Sequence, residues 1–504
     1  MKLDVLFGGL SWEVVCGTPD KDVKALIYHS EKTVPESAFF AISGEELDGK
    51  DYMRKAAEKG ASVLVTEGKG EETDRLLFRL NEEYSITGIR VGDVRKALAL
   101  ASAEFYRRPA DELLLIGVTG TKGKTTTTFM IKDIFEEAGI KTGIIGTVVS
   151  GYDGCYDEAE NTTPQSEDIH RALRKMADGG CRAAVMEVSS QGLMQDRTYG
   201  IDFDTAVFTN LYQDHVGKGE HKSLEEYVFW KSMLFKQAKT AIINIDSAYC
   251  HDMIRESSAQ RILTFSAAHG QDGREREEER RADLEAENIL LRRKKDLLGV
   301  SFEICGKEIF IGMPGKFNVS NALAAAAVAE AHNIPWSCIQ RALSKVRVRG
   351  RAEMVKLNED FTVLVDYAHN GPALESLLKA LREYEPARLI AVFGCGGNRD
   401  KNRRSEMGKA AADLADFSVV TSDNPRKEDP MDIIHDISQA MSEEQGCYTV
   451  IPDRYEAIKW TVSQAQTGDI IVIAGKGHET YQIIGSEKRH FDDREAILSL
   501  RDNK

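Results

Sequence analysis

The sequence predicts an α/β fold in three domains, and three observations carry that prediction. The chain has 504 residues, where one domain usually takes roughly 100 to 200. Short apolar runs alternate with stretches of helical period from end to end, the pattern of mostly parallel sheets covered by helices. One of these runs leads through a Gly/Thr loop into a helix, the order of elements that a phosphate-binding loop requires.

Taken in order, residues 38–42 and 61–65 read as strands beside a helical stretch at 52–58, which makes a small first domain over residues 1–108. A second domain, 109–344, starts at the apolar strand 113–118. The Gly/Thr loop follows, then a helix from about Lys124 to Ala138 and strands at 142–145, 183–188, 206–209 and 241–245. The segment 271–281 (QDGREREEERR) has no apolar face and reads as a solvated loop or hairpin excursion. Beyond a helix at 318–331, a third domain, 345–504, alternates strands at 362–365, 389–393, 417–421 and 470–474 with helices, a Rossmann-like arrangement.

Composition narrows the function. The net charge of -15 offers no basic face for nucleic acid. No apolar run approaches the roughly 18 residues of a membrane helix, and Met1-Lys2-Leu3-Asp4 opens no secretory signal. A cytoplasmic protein with small-molecule partners, no membrane and no nucleic acid is expected. The eight cysteines show no C-x-x-C spacing, so free thiols are expected rather than disulfides or a zinc site.

The sharpest signal is Gly117-Val118-Thr119-Gly120-Thr121-Lys122-Gly123-Lys124-Thr125-Thr126. Glycines let successive N–H groups turn toward an anion, and the helix N-terminus adds its positive dipole end. Lys124 can reach the β and γ phosphates, and Thr125 can hold Mg²⁺. Val118 stands where the strict pattern has glycine, so the loop is a variant with Gly120 inside it. ATP binding alone does not name a reaction.

Gly120-Thr121-Lys122-Gly123-Lys124-Thr125-Thr126 resembles the loop of the Mur ligases and folylpolyglutamate synthetases. The stretch Glu187-Val188-Ser189-Ser190-Gln191-Gly192-Leu193, then Thr209-Asn210-Leu211 with Asp214-His215, then Tyr227 to Lys231 resembles the Mur ligases in particular. The resemblance implies Mg²⁺ ligands at Thr125, Glu187 and His215, with Lys231 carbamylated by CO₂ (N6-carboxylysine) to hold a second ion. Lys124, Glu187, His215 and Lys231 are its implied catalytic set. By residue chemistry alone, His215 reads more readily as a helix-start or packing histidine, and Lys231 as one helical lysine. The stretch 215–221 is slightly longer than the family's usual form.

The same resemblance implies that Asn161, Thr162, Thr163, Ser189, Gln195 and Arg197 hold a UDP-N-acetylmuramoyl dipeptide, with Ser30 in its uridine region. There the family's D-S-R triplet is replaced by His29-Ser30-Glu31. Asn318, Arg351 and Asp366, with the P-loop residues, match positions that bind ATP, although asparagines there also read as helix caps.

Arg399, then Asp423-Asn424-Pro425-Arg426, then Gly475 and Glu479 resemble the site of those members that add meso-diaminopimelate, whose distal carboxylate an arginine fork can grip bidentately. A turn arginine after Asn-Pro is the plainer reading of Arg426.

The resemblance implies a central P-loop ATPase between a UDP-substrate domain and an amino-acid domain. Its activity is an ATP-dependent ligation through an acyl phosphate in peptidoglycan precursor synthesis, by an enzyme expected to be monomeric. Ligation of L-lysine or another amino acid, a folylpolyglutamate-type ligase, and a catalytically degenerate nucleotide-binding homologue are the alternatives.

Overall fold

In a computed structural model the chain is described over residues 1–501, apart from 45–46, 159–160, 213–216, 218–220, 268–280, 295–296 and 358. The expectations for His215, Asp214 and all but the last residue of the 271–281 charge run lie outside the described residues. The chain packs as two compact units, Met1–Phe265 with Ala327–Ile334, and Ser266–Ala326 with Pro335–Lys504.

The first unit holds two sheets. Its N-terminal sheet orders the strands Trp12–Cys16, Thr87–Val91, Ala61–Glu67, Ser37–Phe40 and Ala25–Ile27, parallel except for the first pair. The expected strands at 38–42 and 61–65 lie in it. Trp12–Cys16 (WEVVC) is mostly apolar but shows no period-2 alternation, and its place in the sheet is set by pairing with Thr87–Val91. Asp93 starts the helix Val94–Phe105 by accepting from the N–H groups of Arg95 and Lys96, satisfying two of the orphan donors of a helix start.

The second sheet is parallel across Arg261–Ser266, Ala238–Asn244, Phe203–Phe208, Leu114–Thr119, Ala183–Glu187 and Thr142–Ile145. An antiparallel hairpin, Val149–Tyr152 and Cys155–Glu158, extends one edge. Helices cover the central strands, so each contains an unbroken apolar run rather than an alternating pattern, which is why they stand out in the sequence. Register places Glu187 beside Val118, and Phe208 beside Thr119. The C-terminal strand ends therefore lie side by side, where open α/β sheets bind ligands.

The second unit contains a six-stranded sheet ordered Glu353–Val355, Thr362–Asp366, Ile470–Ala474, Leu389–Phe393, Phe417–Val420 and Tyr448–Val450, parallel except for the first strand. It also contains an antiparallel meander, Leu284–Lys294, Leu297–Ile304 and Lys307–Ile311. Arg293 in the meander donates to the carbonyls of Tyr384, Glu385 and Gly468, and the Tyr384 hydroxyl donates to Gly299 O at 2.9 Å. A final hairpin pairs Tyr481–Ile484 with Glu487–His490. Among the described residues no helix is long and apolar enough to cross a membrane.

Candidate functional site

The strand Leu114–Thr119 delivers the chain into the loop 120–123, and the helix Lys124–Glu137 follows. Gly120 has φ +150°, and a Cβ there would lie 2.0 Å from Thr209 Oγ1. Gly123, at φ +87°, turns the chain into the helix. Both positions favour glycine, one for space and one for backbone angle. The neighbouring strand end clasps the loop. Thr121 N donates to Asn210 O, Lys122 N to Asn210 Oδ1, and Asn210 Nδ2 and Thr209 Oγ1 both donate to Lys122 O. Lys124 folds back so that Nζ donates to Gly120 O and Thr121 O at 2.8 and 3.2 Å. Its ammonium thus lies over the loop that would receive phosphate.

Glu187 is buried at the end of its strand, where Thr125 Oγ1 donates to Oε2 at 3.0 Å. Thr147 donates to the same carboxylate twice, from N at 2.8 Å and from Oγ1 at 3.0 Å. Three hydrogen bonds offset much of the cost of burying a carboxylate. The sequence reading overlooked Thr147. Its signal was available, since it follows the strand Thr142–Ile145 by two residues and strand ends are where ligands bind.

Thr163 Oγ1 donates to Glu187 O and to Ser189 Oγ, and Ser189 caps the short helix Ser190–Met194 by accepting from Gly192 N. Arg197 donates to Gln195 Oε1 and to Thr163 O. Its pKa is lowered, chiefly by burial and then by the positive charge of Arg95. The Thr162 hydroxyl pairs with that of Thr147 at 3.0 Å, and Asn161 is exposed. These residues form one continuous polar surface beside Glu187.

Lys231, in the helix Leu224–Ser232, is buried; its Nζ donates to Gly120 O at 2.9 Å and lies 4.5 Å from the centre of the Tyr227 ring. The Tyr227 hydroxyl meets Thr121 Oγ1 at 3.1 Å. The Y-x-x-x-K spacing puts both residues on one helix face and against the P-loop.

In the N-terminal sheet's domain Ser30 is buried. Glu31 turns away to Lys55 and Lys59, whose ammonium groups pull its carboxyl down to about 2.

In the second unit, Asp366 ends its strand and accepts from Ala352 N and Ala368 N at 2.7 and 2.8 Å. Burial raises its pKa, against the opposing charge of Arg351. Arg351 stacks 4.9 Å from the Tyr367 ring centre. Asn318 Nδ2 donates to Pro314 O, and Asn321 Nδ2 donates to Asn318 Oδ1. Asn318 Oδ1 thus accepts from a side chain, not from the backbone N–H that an N-cap satisfies.

The loops after Phe393, Val420 and Ala474 meet in the same unit. Arg426 has φ +54°, a region unusual for a side chain of its size. The final hairpin holds it there: Arg426 N donates to Ile483 O, and Gly485 N donates to Arg426 O. Arg426 is half-buried and donates to Gly397 O at 2.7 Å, while Arg399 is exposed. A Cβ on Gly396 would lie 3.4 Å from the Arg426 guanidinium and 3.9 Å from Arg399 Cγ, so both arginines flank that glycine. Pro425 is buried; Asn424 Nδ2 donates to Glu479 Oε2 at 2.8 Å, and a Cβ on Gly475 would lie 2.6 Å from Asp423 Oδ2. Acids and an arginine thus share one loop cluster, the donor set that a zwitterionic amino-acid end requires.

Three stretches match family models: residues 22–106 the Mur ligase family catalytic domain, 118–329 the Mur ligase middle domain, and 350–477 the Mur ligase glutamate ligase domain. The chain is 41% identical over 505 residues to the UDP-N-acetylmuramoyl-L-alanyl-D-glutamate--2,6-diaminopimelate ligase of Caldanaerobacter subterraneus subsp. tengcongensis, covering 99% of each. This chain belongs to the Mur ligase family. Another Mur ligase of the same name, from Clostridium tetani, is 40% identical over 503 residues, again covering 99% of each chain. Among solved structures, a Mur ligase of that name aligns with TM-score 0.66 and 31% identity over 97% of each chain. The three-domain Mur ligase architecture expected from the motifs is therefore the one found.

Proposed function

We propose that this Mur ligase joins meso-diaminopimelate to UDP-N-acetylmuramoyl-L-alanyl-D-glutamate at the expense of ATP, a step of peptidoglycan precursor synthesis. The observation that carries the specificity is Arg426, half-buried and pinned among Gly397, Ile483 and Gly485 in a chain about 40% identical throughout to ligases named for that amino acid. A pinned arginine matches the distal carboxylate that distinguishes diaminopimelate from lysine.

The reaction follows from the donor set. The P-loop N–H groups and Lys124 draw in the β and γ phosphates of ATP, while Asn318, Arg351 and Asp366 take the adenosine part. Ser189, Thr162, Thr163, Gln195 and Arg197, with Asn161 and Ser30, orient the dipeptide so that its terminal carboxylate faces the γ-phosphate. That carboxylate attacks phosphorus and ADP leaves, which gives an acyl phosphate. The amine of the amino acid then attacks the acyl carbon, phosphate leaves, and loss of a proton completes the amide. Glu479 and Gly475 receive the distal ammonium, and Arg426 with Arg399 the distal carboxylate, with Asp423, Asn424 and Pro425 shaping the same loop cluster.

The oxygen donors at Thr125 and Glu187 suit Mg²⁺, which prefers oxygen ligands and supplies charge neutralisation at the phosphates. Lys231, once carbamylated, adds a carboxylate-like group beside Gly120. The proposal places the enzyme in the cytoplasm as a monomer.

The test is turnover of ATP and the UDP-dipeptide with meso-diaminopimelate against L-lysine, read by product mass. Turnover with diaminopimelate is expected, falling at least about 100-fold in Arg426→Ala. Preference for lysine would overturn the specificity, and release of ADP with a folate acceptor would overturn the substrate.

A further inference from the structure

Lys476 lies at the second unit's loop cluster but belongs to none of the roles assigned above. Its side chain is 0% exposed. Nζ donates to Glu479 Oε2 at 3.1 Å and to Asn424 Oδ1 at 3.2 Å, so one ammonium joins the loop after Ala474 to the loop after Val420. Both ends of the Asn424 amide are engaged: Nδ2 donates to Glu479, and Oδ1 accepts from Lys476 and from Ile483 N. The arrangement fixes the Glu479 carboxylate within a closed triangle of Lys476, Asn424 and Glu479.

Burying an ammonium is costly, and a lysine on a surface loop would ordinarily keep its head in water. A tie between two loops could be made by a neutral hydrogen bond at lower cost, so the charge itself has a consequence. Asp423 and Glu479 bring two negative charges to the site, and Arg399, Arg426 and Lys476 bring three positive ones. With Lys476 the cluster thus carries a net positive charge, which disfavours a ligand end bearing an ammonium alone relative to one that is neutral overall, a carboxylate beside an ammonium. Without Lys476 the charges balance and that discrimination weakens.

We propose that Lys476 is a specificity-determining residue, whose buried charge makes the site select the zwitterionic end of a diamino diacid over the cationic end of a diamino monoacid. The inference rests on the ligase reading above. It acts through Glu479 and Asn424, and Lys476 is in that sense a positioning residue rather than a group that touches the reacting atoms.

The experiment compares kcat/KM for meso-diaminopimelate and for L-lysine in the full chain, in Lys476→Met and in Lys476→Met/Glu479→Gln. Lys476→Met is expected to narrow the diaminopimelate-to-lysine ratio roughly tenfold, with KM for ATP and for the UDP-dipeptide unchanged. The double variant, which removes one charge of each sign, is expected to recover most of the ratio. A merely structural lysine would lower both amino acids equally and leave the ratio where it was, and that result overturns the inference. If Lys476→Met does not fold, Lys476→Gln is judged by the same ratio. An unmodified chain that prefers lysine overturns the ligase specificity and this inference together. A chain that prefers diaminopimelate but keeps its ratio in the variants overturns this inference alone.

Discussion

His170 lies on the helix Ser166–Asp178 with 1% of its surface exposed, and neither ring nitrogen has a hydrogen-bond partner among the described residues. Burial, with the charge of Arg108 adding to it, lowers its pKa from 6.5 to about 4. A group whose folded pKa is depressed adds stability above its unfolded pKa and loses it as pH falls through the folded value. The window is therefore pH 6.5 down to about 4, and the difference corresponds to about 3 kcal/mol. Denaturant melts across that window should show His170→Leu losing less stability on acidification than the unmodified chain; parallel losses would refute the assignment. No sequence signal marks this residue, since a histidine at a helical position reads the same whether it is buried or exposed. Thr125, Glu187 and Lys231, by contrast, were readable because each sits at a fixed offset within a motif. The contacts between motifs were not, because Thr147 reaches Glu187, and Lys231 reaches Gly120, across long stretches of chain.

At the scale of elements, the end of the strand Ile470–Ala474 is held from beneath. Arg454 is buried, donates to both Asp493 oxygens at 2.7 and 2.8 Å, and donates to Ala474 O at 3.0 Å, the last carbonyl before the Gly475 loop. Removing one partner of a buried pair strands the other charge, at a cost of about 3–5 kcal/mol. Asp493→Ala should lower the melting temperature by on the order of 10 °C, and Arg454→Met/Asp493→Leu, which removes both charges, should recover much of that loss in calorimetry. An equal loss in the double variant would mean that the pair contributes through packing alone. Parallel strands such as this one were legible in the sequence because both faces are buried, so they appear as unbroken apolar runs. The meander over Leu284–Ile311 was not, because its first strand is largely exposed and carries Glu287, Arg292, Arg293 and Lys294. Its place is set by hydrogen bonds from Arg293 to segments about 90 and 175 residues away, which no local pattern encodes. The same holds for the hairpin that fixes Arg426: the D-N-P-R motif was visible, but its left-handed backbone and its clamp were not.

At the scale of the molecule, the proposed chemistry divides between the two units. Lys124, Thr125, Glu187 and Lys231, which would act on the phosphoryl group, belong to the first. Arg399, Arg426 and Glu479, which would hold the amino acid, and Asn424 and Lys476, which would position Glu479, belong to the second, as do the proposed ATP contacts Asn318, Arg351 and Asp366. Selecting the amino acid therefore draws on the second unit. The two halves of the reaction should then separate by mutation. With ATP, Mg²⁺ and the UDP-dipeptide but no amino acid, hydroxylamine converts an acyl phosphate to a hydroxamate that can be counted. Arg426→Ala should form as much hydroxamate as the unmodified chain while losing ligation of diaminopimelate by at least about 100-fold. Glu187→Ala should lose both, because its carboxylate is the point where Thr125 and Thr147 converge beside the P-loop. If Arg426→Ala lost the hydroxamate as well, the amino-acid site would be required for phosphoryl transfer, and the division of labour between the units would be wrong.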